Sequence, residues 1–143
     1  MRCADVNVLV YAHRPESPDH DGFRAWLDAA RRGPEPLGVP GAVLSGFLRI
    51  VTHPKVFKDP TPLEVAVAFA EAVRASPAYR ATDPGDRHWP IFLELATATG
   101  ATGNRLPDAW LAAIAVEHGA TWITADRGFT SYPGLRCEHP LDP

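Results

Sequence analysis

The sequence has few cysteines and no long apolar run. Its two cysteines, Cys3 and Cys137, lie near opposite ends and lack the CxxC spacing of metal or redox motifs. Two isolated cysteines predict reduced thiols in a cytoplasmic protein rather than a disulfide framework. No apolar stretch reaches the roughly 18 residues that a bilayer helix needs. Asp5 and Asn7 also interrupt the N-terminal apolar run, which argues against a signal peptide. We expect a soluble, cytoplasmic protein without membrane contact.

A general excess of basic residues is also missing. The chain has 14 Lys and Arg against 17 Asp and Glu, a formal charge of −3. This balance excludes a domain that is basic over its whole surface, the simplest nucleic-acid binder, but not a local basic rim around an acidic site. With 143 residues, 45% hydrophobic and 22% charged, the chain fits one globular domain over residues 1–143.

Strand and helix patterns alternate along the chain. We expect strands at the start of the apolar run 3–11 and at 37–39, 79–82, 121–124 and 135–138. We expect helices over 17–33, 43–51, 61–73, 83–96 and 107–118, with a loop over 100–106. This alternation is typical of βαβ units, so we predict a three-layer α/β/α sandwich with a central parallel sheet.

Helical spacing of apolar residues predicts which helix faces are buried. Thr61 to Glu64 has the pattern of a capping box, with Pro62 at the first helical position. The predicted inward faces of three helices are Phe23, Trp26, Leu27 and Ala30; Leu63, Val67, Ala70 and Val73; and Trp89, Phe92, Leu93 and Ala96.

Three aspartates are candidate functional residues. Asp5 stands in an apolar run at the end of the first strand, and Asp126 follows the strand over 121–124. Ligands of parallel α/β sheets bind beyond the carboxyl ends of the strands, where both acids are expected. Asp108 opens the last long helix on its mostly inward face. Taken alone, Asp108 is also explained as an acid that the helix dipole favours in the first turn. Asp126 alone is also explained as a turn residue.

Three carboxylates in one half-buried pocket would repel each other, and a divalent cation would relieve that repulsion. Mg²⁺ or Mn²⁺ suits oxygen ligands and activates bound water, which predicts a metal-dependent phosphodiester hydrolase. Asn7 and Thr124 are candidates for orienting these acids or a water, although a local backbone cap and strand packing explain them equally well.

Basic residues are expected near the acidic edge. Residues 36–58 contain no Asp or Glu, whereas they contain Arg49, Lys55 and Lys58. These cations either grip RNA phosphates or form a solvated face. The candidate rim residues are Arg14, Arg49, Lys55, Lys58, Arg105 and Arg127.

Four motifs occur in an order that resembles the PIN-domain ribonucleases, specifically the VapC-type toxins of bacterial toxin–antitoxin pairs. They are DVNVLVYA (5–12), FLRIVTHP (47–54), LPDAWLAA (106–113) and TADRGF (124–129). The resemblance implies a PIN-like fold and Mg²⁺- or Mn²⁺-dependent RNA cleavage. It also implies a homodimer and a VapB-like antitoxin lying across the active site. The family's acids map to Asp5, Asp108 and Asp126.

One position departs from the family pattern. The family usually has Glu just before the FLR segment, where this chain has Gly46. Positions 43, 46, 47 and 50 share a helix face, so a Glu there would point toward the pocket. Gly within a helix costs about 1 kcal/mol relative to Ala, which makes local stability a poor explanation. We interpret Gly46 as an inactivating substitution, natural or engineered; close helix packing is the alternative.

Two other functions compete with the ribonuclease. A PIN domain without the Glu fits a binding module that dimerises and captures antitoxin or RNA without cleavage. A phosphotransfer domain of the haloacid-dehalogenase or receiver kind also places Asp after its first strand. That pattern needs a Lys after a later strand. The only lysines, Lys55 and Lys58, are in the wrong place for it, which argues against this function.

Overall fold

The computed structural model describes residues 1–143 and contains five strands and six α-helices. The strands are β1 (Arg2–Ala4), β2 (Leu37–Gly38), β3 (Tyr79–Arg80), β4 (Thr121–Ile123) and β5 (Arg136–Glu138). The helices are α1 (Val6–His13), α2 (His20–Arg32), α3 (Gly41–Val51), α4 (Leu63–Arg74), α5 (His88–Thr99) and α6 (Leu106–Glu117). Short 3₁₀ turns cover Gly103–Arg105 and Arg127–Ser131.

The strands form one parallel sheet in the order β3-β2-β1-β4-β5, as the alternating pattern predicted. From β1 the chain moves to β2 and β3 on one side, then crosses back to β4 and β5 on the other. Right-handed crossovers in opposite directions place α1–α4 on one face and α5–α6 on the other. The connections after the adjacent strands β1 and β4 therefore diverge, which opens a crevice at their carboxyl ends.

The centre of the sheet is closely packed. Cys3 of β1 lies between its register partners Gly38 of β2 and Trp122 of β4, and both Cys3 and Trp122 are fully buried. A Cβ added at Gly38 would lie 2.6 Å from the Cys3 Sγ and 2.7 Å from the Thr82 Cγ2. Glycine at 38 thus lets β2 and β1 pack without displacing the buried thiol.

The N-terminal apolar run changes structure at Asp5. β1 ends at Ala4, and the Asp5 carboxylate accepts a hydrogen bond from the Val6 backbone N–H at 2.6 Å and caps α1. Val8 and Leu9 are both buried because α1 is covered by the sheet and by neighbouring helices. The strand is thus shorter than the apolar run, because a side-chain cap starts a helix within it.

The predicted capping box at Thr61 is wrong. α4 begins after Pro62, and the Thr61 hydroxyl contacts His13 and Arg14 instead of the helix. The inward face of α4 consists of Ala66, Ala70 and Val73, whereas Leu63 is 60% exposed. Val67, predicted to be inward, is exposed as well. Small alanines let α4 lie close to α3, which rotates the larger residues outward.

The helix expected from residue 83 begins only at His88. Asp83 accepts a hydrogen bond from the Gly41 N–H at 2.8 Å, at the start of α3. The Glu117 carboxylate accepts hydrogen bonds from the Gly85 and Arg87 N–H groups at 2.7 and 2.9 Å. These tertiary bonds hold residues 83–87 in a turn.

The predicted inward face of α5 is only partly right. Phe92 and Ala96 are half-buried, but Trp89 and Leu93 are exposed, and the buried residues are His88 and Leu95. The other helices and strands match their predicted positions, with ends that differ by a few residues. None of the six helices has the length and apolar character needed to cross a bilayer.

Gly38→Ala tests the close packing of β1 and β2. The new methyl group overlaps a buried sulfur atom, so we expect a loss of about 1–3 kcal/mol in the free energy of unfolding. Urea denaturation measures this loss. The Cys3→Ala/Gly38→Ala pair should cost less than the sum of the single variants, because removing the sulfur makes room. Strictly additive costs would contradict the assigned contact.

Candidate active site

The crevice beyond β1 and β4 contains all three predicted aspartates. Asp5 follows β1 directly, Asp126 lies three residues after β4, and Asp108 lies in the first turn of α6. The three acids line one cavity of about 960 Å³. The predicted convergence on one sheet edge therefore occurs in the structure, at the point where the chain connections diverge.

A hydrogen-bond network joins the ends of the two central strands. The Thr124 hydroxyl donates to Asp5 Oδ2 at 2.6 Å, and the Asn7 Nδ2 donates to the same oxygen at 3.0 Å. The Thr124 oxygen accepts from the Asp126 N–H at 3.0 Å, and the Asn7 Oδ1 accepts from the Ala125 N–H at 3.0 Å. Asn7 and Thr124 thus fix the Asp5 carboxylate and the backbone that carries Asp126.

The site concentrates negative charge in a poorly solvated place. Asp5 is only 5% exposed. Burial, with smaller contributions from the nearby charges of Asp108 and Asp126, raises its pKa to about 6 against the opposing hydrogen bonds from Thr124 and Val6. Burial followed by repulsion from Asp126 also raises the pKa of Asp108, while Arg105 lowers it. The carboxylates oppose one another's ionisation, and a cation would relieve this.

The three acids suit a hard divalent cation that takes only some of its ligands from the protein. Asp5, Asp108 and Asp126 supply the oxygen ligands that Mg²⁺ and Mn²⁺ prefer. No three acidic, histidine or cysteine side chains are gathered closely enough to enclose an ion. A cation here would have to keep several of its waters or draw the acids together, and Mg²⁺ commonly keeps its waters.

Gly46 lies in the wall of the same cavity, half-buried on α3. The only acids lining the cavity are Asp5, Asp108 and Asp126, so no other carboxylate occupies the place of the family's Glu. A Cβ at position 46 would lie 3.1 Å from the Val6 Cγ2, tighter than an ordinary contact. The glycine therefore also allows a close approach between α3 and the first turn of α1.

The predicted basic rim is only partly present. Arg49 lines the cavity, and Arg105 is close enough to Asp108 for its charge to lower the pKa of that carboxyl group. Lys55 and Lys58 are exposed on residues 52–62, the connection between α3 and α4 that we call the rim segment. Arg127 is 78% exposed, with a loose ion pair to Asp142 at 3.7 Å. All of these side chains are sterically available to a polyanion.

Arg14 does not belong to this rim. Its side chain is only 12% exposed. The guanidinium donates from Nε to Glu16, from Nη1 to the Thr61 Oγ1 and from Nη2 to the Asp59 carbonyl oxygen. With its nitrogens bound to protein acceptors, Arg14 is not free to contact a phosphate, so this prediction is wrong.

The sequence did not reveal the apolar wall of the cavity. Twelve of its 20 lining residues are hydrophobic. Phe92 and Trp110 contact each other edge to face at 5.2 Å, and the buried His88 lies against Trp110 and within hydrogen-bond distance of its carbonyl oxygen. Tyr11, Trp110 and Phe129 lie inside the four motifs and Phe92 lies on a predicted inward helix face, whereas nothing in the local sequence marks Phe57. The aromatic lining includes Tyr11, Phe57, Phe92, Trp110 and Phe129.

Comparison with known proteins agrees with this geometry. A PIN-domain family model matches residues 2–135. VapC ribonuclease Mb2897 of Mycobacterium bovis is 48% identical over 142 residues, covering 99% of this chain and 97% of that protein. Ribonuclease VapC25 of Mycobacterium tuberculosis is 40% identical over 140 residues, covering 98% and 99%.

Solved structures share the fold at low sequence identity. VapBC2 from Rickettsia felis, bound to a DNA fragment from its promoter, superposes with a TM-score of 0.72 at 19% identity, covering 96% of this chain and 97% of that one. Mycobacterium tuberculosis VapC20, described as a sarcin–ricin loop cleaving toxin, gives 0.68 at 15% identity, covering 95% and 99%.

The raised pKa of Asp5 predicts a pH-dependent stability without metal. The native carboxyl, with a pKa of about 6 against an ordinary 3.8, binds its proton more tightly than the unfolded chain does. Its stabilising contribution is full below pH 4 and is lost as pH rises through 6, by about 2–3 kcal/mol. Urea unfolding in EDTA measures this loss.

Asp5→Asn should remove that share of the pH dependence, and Asp28→Asn, on the surface of α2, should retain it. Added Mg²⁺ should restore stability to the wild-type chain at pH 7. A difference between wild type and Asp5→Asn that stays constant from pH 4 to 7 would contradict the assigned ionisation.

Proposed function

This chain belongs to the PIN-domain family, and from that premise we propose that it is an endoribonuclease of the VapC toxin type, neutralised by a VapB-like antitoxin. The observation that carries the proposal is the meeting of Asp5, Asp108 and Asp126 around one cavity at the divergence of β1 and β4. Full-length similarity to proteins named VapC ribonucleases supports RNA as the substrate.

Each residue of the site has a distinct task in this proposal. Asp5, Asp108 and Asp126 would hold Mg²⁺, with Mn²⁺ as the substitute. Bound there, the ion would lower the pKa of a coordinated water and offset charge on the phosphate oxygens. Thr124 and Asn7 hold the Asp5 carboxylate in place and so limit the reorganisation needed during reaction.

The surrounding surface suits a polyanionic substrate. Arg49 lines the cavity, Arg105 is close enough to Asp108 to lower its pKa, and Lys55 and Lys58 extend the positive charge along the rim segment. Cations at these positions would hold the RNA backbone in register while the acids act on one phosphodiester. A basic border around an acidic centre reconciles a net charge of −3 with an RNA substrate.

We propose that this chain is weakened or inactive in cleavage, because Gly46 stands where the family's Glu would add a carboxylate to the cavity. A Glu at position 46 would orient the attacking water or bind a water held by the metal. Without that carboxylate, metal binding would be weaker. The same observation favours a second candidate function, a PIN-domain binding module that binds antitoxin or RNA without turnover. Tight RNA binding without product at any metal concentration would select the second function.

The proposed partners fit exposed apolar surfaces. The structural relatives include VapBC complexes, and the apolar wall of the cavity can accept an antitoxin segment lying across the site. We also expect a homodimer: Trp89 and Leu93, one turn apart on α5, are 58% and 46% exposed and would be covered by a second copy.

The unpaired thiols of Cys3 and Cys137 agree with a cytoplasmic location.

Asp108→Asn tests the role of the acids. The amide keeps the shape of the side chain and removes its charge, so RNA cleavage with Mg²⁺ or Mn²⁺ should fall by about 100-fold or more. EDTA should abolish cleavage equally. Asp28→Asn, which removes a similar surface charge outside the cavity, should cleave at the wild-type rate. Cleavage that survives both Asp108→Asn and EDTA would refute the proposed mechanism.

Gly46→Glu tests the missing carboxylate, and a smaller residue at position 6 gives the new side chain room. Val6 crowds the new Cβ, so the double variant Val6→Ala/Gly46→Glu should cleave RNA faster than wild type, and faster than Gly46→Glu alone. Val6→Ala/Gly46→Gln is the matched control without charge. If wild type already cleaves as fast as the double variant, Gly46 does not lower the rate.

A further inference from the structure

We propose that Arg14 is a positioning residue that fixes the rim segment, residues 52–62, as one wall of the RNA-binding cavity; this inference rests on the proposed function. Arg14 lies at the end of α1, outside the three acids and their hydrogen-bond network. Its role follows from the elements that it joins, because α1 begins at the acidic site and ends beneath the rim segment.

The rim segment has little structure of its own. Its turn is closed by the Val56 and Phe57 N–H groups, which donate to the His53 carbonyl oxygen at 3.0 and 3.1 Å. The Thr61 N–H donates to the Val51 carbonyl oxygen at 2.8 Å. Residues 58–60 make no backbone–backbone hydrogen bond. A segment held so sparsely depends on side-chain contacts for a single position.

Arg14 supplies those contacts. Its Nη2 donates to the Asp59 carbonyl oxygen at 2.8 Å, and its Nη1 donates to the Thr61 Oγ1 at 3.0 Å. The guanidinium also lies over the Phe57 ring, 4.2 Å from the centroid. His13 Nε2 lies 3.1 Å from the same Thr61 oxygen. One planar guanidinium thus holds three points of the segment, which Lys cannot reproduce.

The held segment forms part of the functional surface. Val56 and Phe57 line the cavity together with Asp5 and Asp108. Lys55 and Lys58, on either side of them, are exposed and supply two of the five rim cations that remain without Arg14. If the segment moved, the cavity would lose an apolar wall and the lysines would lose their register with the acids. Arg14 would therefore affect RNA affinity without touching RNA.

Arg14→Ala tests the positioning by amide exchange in the full chain. The amides of Val56, Phe57 and Thr61 should exchange about tenfold faster by NMR, because hydrogen bonds to a charged group are lost. Arg24→Ala is the matched control: it removes an exposed guanidinium that pairs only with Asp28 on α2. Arg14→Lys and Thr61→Val should give intermediate rates and guard against a variant that fails to fold. Unchanged exchange in Arg14→Ala would overturn the proposal.

RNA affinity separates positioning from direct contact. With Ca²⁺ replacing Mg²⁺ to keep a single-stranded RNA oligonucleotide intact, Arg14→Ala should weaken binding about fivefold, and Arg14→Lys should recover part of the loss. Arg14→Ala and Lys55→Ala should be non-additive, because both act through the rim segment. Additive losses would show that Arg14 acts on RNA independently of the rim segment and would overturn the proposal.

The two readouts also separate this inference from the proposed function. A wild-type chain that binds no RNA would refute the ribonuclease and, with it, the RNA role of Arg14. Amide exchange would then still decide whether Arg14 holds the rim segment. Faster exchange in Arg14→Ala with wild-type RNA affinity would overturn the link between the segment and RNA.

Discussion

The site depends on one buried carboxylate, that of Asp5. Its two oxygens accept three hydrogen bonds, from the Val6 N–H, the Thr124 hydroxyl and the Asn7 amide. The first bond ends β1 and starts α1, and the second joins β1 to β4. A single side chain therefore sets where a strand becomes a helix and how the ends of two strands align. The position of Asp126 follows from it, because its N–H is bonded to the same Thr124 oxygen.

Placing three carboxylates in this crevice lowers the stability of the fold. A buried carboxylate is unfavourable, and two further acids nearby increase its cost. The hydrogen bonds from Thr124 and Val6 offset only part of that cost, since the pKa of Asp5 remains raised to about 6. A fold selected for stability alone would place an apolar residue here. A cation bound between the acids would offset the repulsion between them, which explains why three carboxylates lie together here.

Much of the fold and the acidic centre could be predicted from local sequence. Alternating apolar segments predicted the parallel sheet, and the rule for strand ends predicted that Asp5 and Asp126 would meet. The failures have a common cause. Thr61 has the pattern of a helix cap but bonds to Arg14, and Asp83 looks like a helix start but caps α3. Arg14 looks like a surface cation but lies nearly buried. In each case a partner distant in sequence takes the side chain from its local role, and no local pattern identifies that partner.

Position 46 shows how packing constrains chemistry in the same crevice. Gly46 is close to Val6, the residue that donates its N–H to Asp5. A side chain at 46 therefore requires the Val6 side chain, α3 or the first turn of α1 to give by a few tenths of an ångström, and a movement of that turn would disturb the Asp5 carboxylate. Adding an acid to the cavity and preserving the geometry of the existing acids are thus opposing demands. A smaller side chain at position 6 eases this conflict, so the residues at 6 and 46 together influence what the cavity can hold.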